Sequence, residues 1–245
     1  MLLGGAIVAS AALAHRCMRR RQPRLRLTYL DLKSFGEPIR LALTVGGFEF
    51  EDVRVSYEEV ARLRAIGWLP FGQVPVLEID GKVHAQCNAI LRWVGSHSSP
   101  CLYPSSRAIQ VDAVEELLVD IKKLLTPQWY KHAVPRNPAT GAFIASTALS
   151  EAQQTAVASA LSEHVIPARF AQLERVLSAS GGPYLCGKAL SICDLSFYVL
   201  GAGFRDGTYC DGIATTVLDN CPGLRALLDR IAAHPKVAEW EARHS

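Results

Sequence analysis

The sequence predicts an α/β unit followed by an all-α unit. Three observations carry that reading. Strand-like segments are confined to the first hundred residues, Asp80-Gly81 gives a two-residue hairpin signal, and the second half shows only helical periodicity. At 245 residues and 49% apolar content, the chain can form one large or two small domains with a substantial core.

Leu25–Leu30 alternates in the manner of a first strand. A helix over Glu37–Val45 follows, with Ile39, Ala42 and Leu43 on its apolar face and Gly46-Gly47 as its stop. Phe50–Val55 reads as a second strand and residues 57–66 as a short helix. Val76–Ile79 and Lys82–Ala85 form a hairpin, because both residues of an Asp-Gly turn accept positive φ. A helix then starts near Cys87, with apolar Ile90, Leu91, Trp93 and Val94. Residues 98–106 are a linker. Helical patterns run over 107–132, 150–177, 194–204, 224–233 and 237–243, and Pro167 should kink the second. The expected organisation is a leader over 1–23, a β-α-β-α-β-β-α domain over 24–98 and a helical domain over 105–245.

The formal charge of +3 misdescribes the body. Arg16, Arg19, Arg20, Arg21, Arg24 and Arg26 lie in the first 26 residues with no acid, leaving 20 basic against 23 acidic residues beyond. That balance argues against nucleic-acid binding. Seven scattered cysteines without a C-x-x-C fit a reducing compartment, and neither they nor the seven histidines show metal-ligand spacing. Residues 2–14 are apolar and 15–21 basic. This stretch is shorter than the ~20 residues needed to span a bilayer, and a basic n-region is missing. The arginine run favours a cytoplasmic face for the body. The expectation is a signal-anchor-like or organelle-targeting leader, with the body in the cytosol or at the cytoplasmic face of a membrane.

Residues 70–94 read as a binding device for a small anionic peptide. Val74 precedes Pro75 and is held extended, so its backbone can pair with a peptide-like ligand. Gln86-Cys87 opens a helix whose unpaired N–H groups and positive dipole end attract a carboxylate.

This stretch resembles the glutathione transferase superfamily, most closely its sigma-like, tyrosine-type classes, and the resemblance covers almost everything after residue 24. Gly72-Gln73-Val74-Pro75-Val76-Leu77 is similar to the family's loop before a cis-proline, and Gln86-Cys87 stands where the family has Gln-Ser. The resemblance implies a thioredoxin-like N-terminal domain, an all-helical C-terminal domain, glutathione as co-substrate with no metal, a small apolar electrophile as second substrate, and a homodimer. It places the catalytic role on Tyr29, in Leu27-Thr28-Tyr29-Leu30. A free thiol has a pKa of about 8.5, and a phenol O–H donated to the sulfur favours the thiolate that attacks the electrophile. Glutathione contacts are implied for Tyr29, Arg64, Gln73, Val74, Pro75, Gln86 and Cys87.

The chain departs from the family pattern at four places. Cys87 replaces the serine, Val60 the usual tryptophan, Arg64 the usual lysine, and Phe35 a basic residue common in that loop. Ser34 is the competing hydroxyl. Ser34-Phe35-Gly36-Glu37 also matches a capping box for the first helix, and Ser191-Ile192-Cys193-Asp194 matches one for a core helix, with a folding role. Asp112 and Asp120 read as amphipathic helix surface, placed like acids that reach the partner's ligand. Trp129, Tyr130 and Phe204 are candidate linings of the second pocket, and aromatic core packing explains them equally well. Two alternatives stand beside a transferase: a glutathione-dependent isomerase of the prostaglandin D synthase kind, and a non-catalytic binding or structural protein on this fold.

Overall fold

The structure is a computed structural model, describing residues 23–126 and 149–244. The leader, Trp129, Tyr130 and the end of the helix expected over 107–132 lie outside the described residues. β1 (Leu25–Leu30), α1 (Glu37–Val45), β2 (Phe50–Val55), α2 (Tyr57–Ala65), β3 (Val76–Ile79), β4 (Lys82–Ala85) and α3 (Cys87–His97) follow one another. The sheet order is β2-β1-β3-β4, with β1 parallel to β2 and antiparallel to β3. Asp80 and Gly81 turn the hairpin at φ 49° and 82°, as an Asp-Gly turn requires.

The two sheet faces bury different things. Leu25, Leu27 and Leu77 enter the main core with α1, α3 and the helical domain. Leu30, Val55 and Val76 pack with Val60, Leu63 and Leu69 beneath α2. Val60 is therefore a packing residue of this smaller cluster.

The helical domain comprises α4 (Ala108–Leu124), α5 (Glu151–Ala160), α6 (Ile166–Ala179), α7 (Ile192–Arg205), α8 (Pro222–Ala232) and α9 (Pro235–His244). Between α5 and α6, Leu161–Val165 widens into a π turn. Pro167, in the first turn of α6, has no N–H to continue the ladder, so the expected kink takes this form. α7 starts where Asp194 accepts the Ser191 N–H at 2.9 Å and the Leu185 N–H at 2.8 Å, the capping geometry expected of Ser191 and Asp194. Gly95 lets α7 approach α3, since a Cβ there would lie 2.8 Å from Ile192 and 2.7 Å from Tyr103. α9 docks on α1: the Trp240 indole donates to Glu37 Oε1 at 2.7 Å, and Lys236 donates to the Val45 carbonyl at 3.1 Å.

The first helix corrects one expectation. Its N-cap is Gly36, and Ser34 makes no capping bond. Glu37 does not reach back to cap; it is buried and holds Arg40 and Trp240. Ser34 lies two residues before the helix with φ 22°, so its hydroxyl faces elsewhere.

Candidate active site

Tyr29 sits near the end of β1, on the same face as Leu25 and Leu27, and only 4% of it is exposed. Two neighbours fix its ring. Gly36 passes so close that a Cβ there would lie 2.2 Å from Tyr29 Cδ1. Arg40, fully buried, stands 5.6 Å from the ring centroid. Its guanidinium donates to Asp52 (2.9 Å), Glu37 (3.1 Å) and the carbonyls of Leu32 (2.9 Å) and Leu30 (3.2 Å). Every donor group of this charge thus has a partner, which makes its burial tolerable.

The Tyr29 hydroxyl oxygen accepts the Phe35 N–H at 3.2 Å and is hydrogen-bonded to the Ser34 side chain. Burial pushes the phenol up to about 12, against the opposing effect of these two bonds. At neutral pH it is a proton donor, not a base.

Cys87 lies on the other side of Phe35. Its thiol donates to the Phe35 carbonyl at 3.2 Å, and burial pushes it up to about 12 although the Lys122 charge opposes this. It is a neutral thiol tying α3 to the β1–α1 loop. The backbone N–H of Cys87 remains in the first turn of α3, where no side chain caps the helix and no acid stands. Gln86, the exposed N-cap, is held at φ 76°, a strained value for a non-glycine residue.

The Val74–Pro75 peptide is cis. β3 pairs with β1 only as far as Val76 opposite Thr28, so Val74 lies just beyond the ladder and beside the strand that carries Tyr29. Pro75 is buried, and Gln73 is exposed. Arg64 donates from Nε to the Gly72 carbonyl at 2.7 Å, clamping the loop from the exposed side of α2. The structure therefore gathers Tyr29, Ser34, Phe35 and Cys87 into one cluster. Val74 packs on the smaller cluster beneath α2, Gln86 stands at the start of α3, and Arg64 of α2 holds the loop that carries Gln73 before Pro75.

The other candidates are structural. Asp112 accepts from Arg92 at 2.8 Å and from the Tyr103 hydroxyl at 3.0 Å, so it joins α3 to α4. Asp120 pairs with Lys123 at 3.0 Å on an exposed surface. Phe204 is not a pocket lining: it is 2% exposed and packs edge-on to Phe170 at 5.7 Å.

Two residues of the cluster escaped sequence reading. Tyr209 follows α7; its N–H donates to the Gly203 carbonyl at 3.1 Å and its ring lies 5.7 Å from that of Phe204. Burial raises its pKa, and Ser34, Tyr29 and Cys87 act on it electrostatically. No sequence signal marks it. Lys122 on α4 is 5% exposed and stands 4.9 Å over the Phe35 ring. A lysine four residues after the buried Leu118, inside an apolar stripe, was the signal available. Among the described residues no group of three or more His, Cys, Asp and Glu could hold a metal, and no helix is long and apolar enough to cross a membrane.

Comparison with known proteins gives the family. Residues 25–96 match the glutathione S-transferase N-terminal domain, and residues 142–244 match the C-terminal domain. The chain is 32% identical over 176 residues to glutathione S-transferase 1 of Ascaris suum, covering 71% of this chain and 76% of the relative. It is 30% identical over 218 residues to glutathione S-transferase A3 of Mus musculus, covering 87% and 86%. Among solved structures, the glutathione S-transferase of Ascaris lumbricoides superposes with a TM-score of 0.71 at 26% identity, over 91% of this chain and 98% of that one. Prostaglandin synthase D of Nilaparvata lugens shares the fold, with a TM-score of 0.73 at 24% identity over 91% and 100%. With both domain models matched in order, the chain belongs to the glutathione S-transferase family of transferases.

Proposed function

We propose that the protein conjugates glutathione to small apolar electrophiles, with Tyr29 holding the glutathione sulfur as a thiolate. The observation that carries this reading is the Tyr29 hydroxyl. Its oxygen already accepts from the Phe35 N–H and contacts Ser34, so its own proton is left for a further acceptor. A thiolate sulfur in the cleft is that acceptor, and hydrogen bonding to the charged form lowers the thiol pKa. No bond to Tyr29 forms; the thiol proton leaves to solvent, the sulfur bonds to the electrophilic carbon, and either the leaving group departs with its electron pair or, in an addition, the substrate takes up a proton.

The tripeptide spans the remaining features. Val74, just outside the ladder, offers backbone groups to the cysteinyl unit. The uncapped start of α3, with the N–H of Cys87 and the strained Gln86, takes the γ-glutamyl carboxylate. Arg64, with its terminal nitrogens left over after the Gly72 contact, and Gln73 serve the glycyl end. The Cys87 thiol is engaged with Phe35 and contributes no side-chain donor. A homodimer is supported by Phe71, 64% exposed on the loop beside Gly72.

The test is calorimetric titration of the full chain with reduced glutathione, followed by conjugation kinetics on an electrophile panel. Tyr29→Phe is expected to retain glutathione binding and lose on the order of 10²-fold in kcat/KM at neutral pH. Unchanged kinetics in that variant overturn the role of Tyr29, and turnover by isomerisation alone would assign the second reading.

A further inference from the structure

Lys122 is the least explained charge in the molecule. It projects from α4 of the helical domain, 5% exposed, and its ammonium stands 4.9 Å over the ring of Phe35. It forms no ion pair among the described residues. The Glu115 carboxylate acts on it electrostatically without forming an ion pair, and a single aromatic face compensates only part of the cost of burying the charge. Arg40, by contrast, is equally buried but spends its guanidinium on two carboxylates and two carbonyls.

The surroundings say which anion it faces. The Phe35 N–H holds the Tyr29 hydroxyl at 3.2 Å, and the Phe35 carbonyl holds Cys87 at 3.2 Å. Lys122 also acts electrostatically on Cys87, at the start of α3. It therefore overlooks the loop that positions the proton donor. That loop carries no cation where it passes Tyr29, because position 35 is phenylalanine.

We propose that Lys122 is the cation of the cleft: from the helical domain, its ammonium stabilises negative charge on the sulfur held by Tyr29. This rests on the glutathione-conjugating reading above. Tyr29 supplies a directional hydrogen bond, and Lys122 supplies a longer-range Coulombic attraction that needs no contact. The facing groups are Phe35 and Cys87, both neutral, and Glu115, two turns earlier on α4. Glu115 accepts from Ser196 at 2.7 Å and is raised by burial to about 7. Titration of Glu115 therefore overlaps the range of interest, so every profile is repeated in a Glu115→Gln background.

The experiment titrates the thiolate of bound glutathione by its ultraviolet difference absorbance, alongside the pH profile of kcat/KM. Lys122→Met is expected to raise the apparent thiol pKa by about 0.5–1 pH unit, the size expected of one charge several ångströms away at an intermediate dielectric. Lys122→Arg is expected to keep the original value. Phe35→Arg in the Lys122→Met background returns the charge from the opposite wall and is expected to recover most of the shift. This rescue separates charge from folding, because a merely unfolded variant is not repaired by it. An unchanged thiol titration in folded Lys122→Met overturns the proposal, as does a loss confined to carboxylate-bearing electrophiles, which would make Lys122 a substrate-carboxylate anchor. Failure of the unaltered chain to bind glutathione overturns the functional reading itself and this inference with it.

Discussion

Gly36 and Tyr29 are in contact at a distance no other residue could sustain: a Cβ on Gly36 would lie 2.2 Å from Tyr29 Cδ1 and 2.6 Å from Cγ. The first helix begins at its N-cap Gly36, and the absent side chain leaves room for the buried ring. Gly36→Ala must therefore displace the ring or the loop. The expected cost is about 1–3 kcal/mol of stability and on the order of 10²-fold in kcat/KM through misplacement of the hydroxyl. Chemical denaturation and steady-state kinetics check both, and an alanine variant with native kinetics would show that the ring is not held there.

Ser34 links two tyrosines. Its side chain acts on the hydroxyls of both Tyr29 and Tyr209, opposing the upward effect of burial on each phenol. Ser34→Ala and Tyr209→Phe are each expected to lower kcat/KM about 3- to 10-fold, the kinetic equivalent of roughly 1 kcal/mol for one net hydrogen bond. The Ser34 variant should show no loss of helix stability beyond a few tenths of a kcal/mol, since Gly36 is the cap.

Glu115 makes stability depend on pH. A glutamate in the unfolded chain titrates near 4.5, and burial raises the folded carboxyl to about 7. The folded state binds the extra proton between these values. Its contribution is complete below about pH 4.5 and is lost as pH rises through about 7, on the order of 3 kcal/mol in all. Asp194, raised by burial to about 6, adds a smaller loss of the same sign. Urea denaturation at pH 5.5 and 8 is expected to show lower stability at the higher pH, and Glu115→Gln should remove most of that difference.

Asp194 ties the start of α7 to the preceding loop through the N–H groups of Leu185 and Ser191. Asp194→Ala strands both buried donors and is expected to cost about 2–4 kcal/mol. The denaturation midpoint reads it. A variant as stable as the parent would remove the cap from the account of this fold.

The strands, the Asp80-Gly81 hairpin and the cap of α7 were legible because each is written in neighbouring residues. Turn chemistry, alternation and capping all act over a few positions. The expectations for Tyr29, Val74, Pro75, Gln86 and Cys87 came only through a motif. Ser34 misled for the same local reason: its spacing from Glu37 satisfies a capping box, but the buried Arg40 and Trp240 compete for that carboxylate. Tyr209 and Lys122 depend on how the helical domain meets the β1–α1 loop, and no local pattern reports such a meeting. A charged residue in an apolar stripe shows that something unusual is buried, not what it faces.

The docking of α9 onto α1 has a consequence for biosynthesis. Trp240 donates to Glu37, Glu37 holds Arg40, and Arg40 stands against Tyr29. This relay runs from α9 back to β1, across about two hundred residues of chain. A nascent chain that has not yet reached residue 235 carries β1 and α1 but lacks the brace behind them, so the setting of Tyr29 is completed only after α9 has been made.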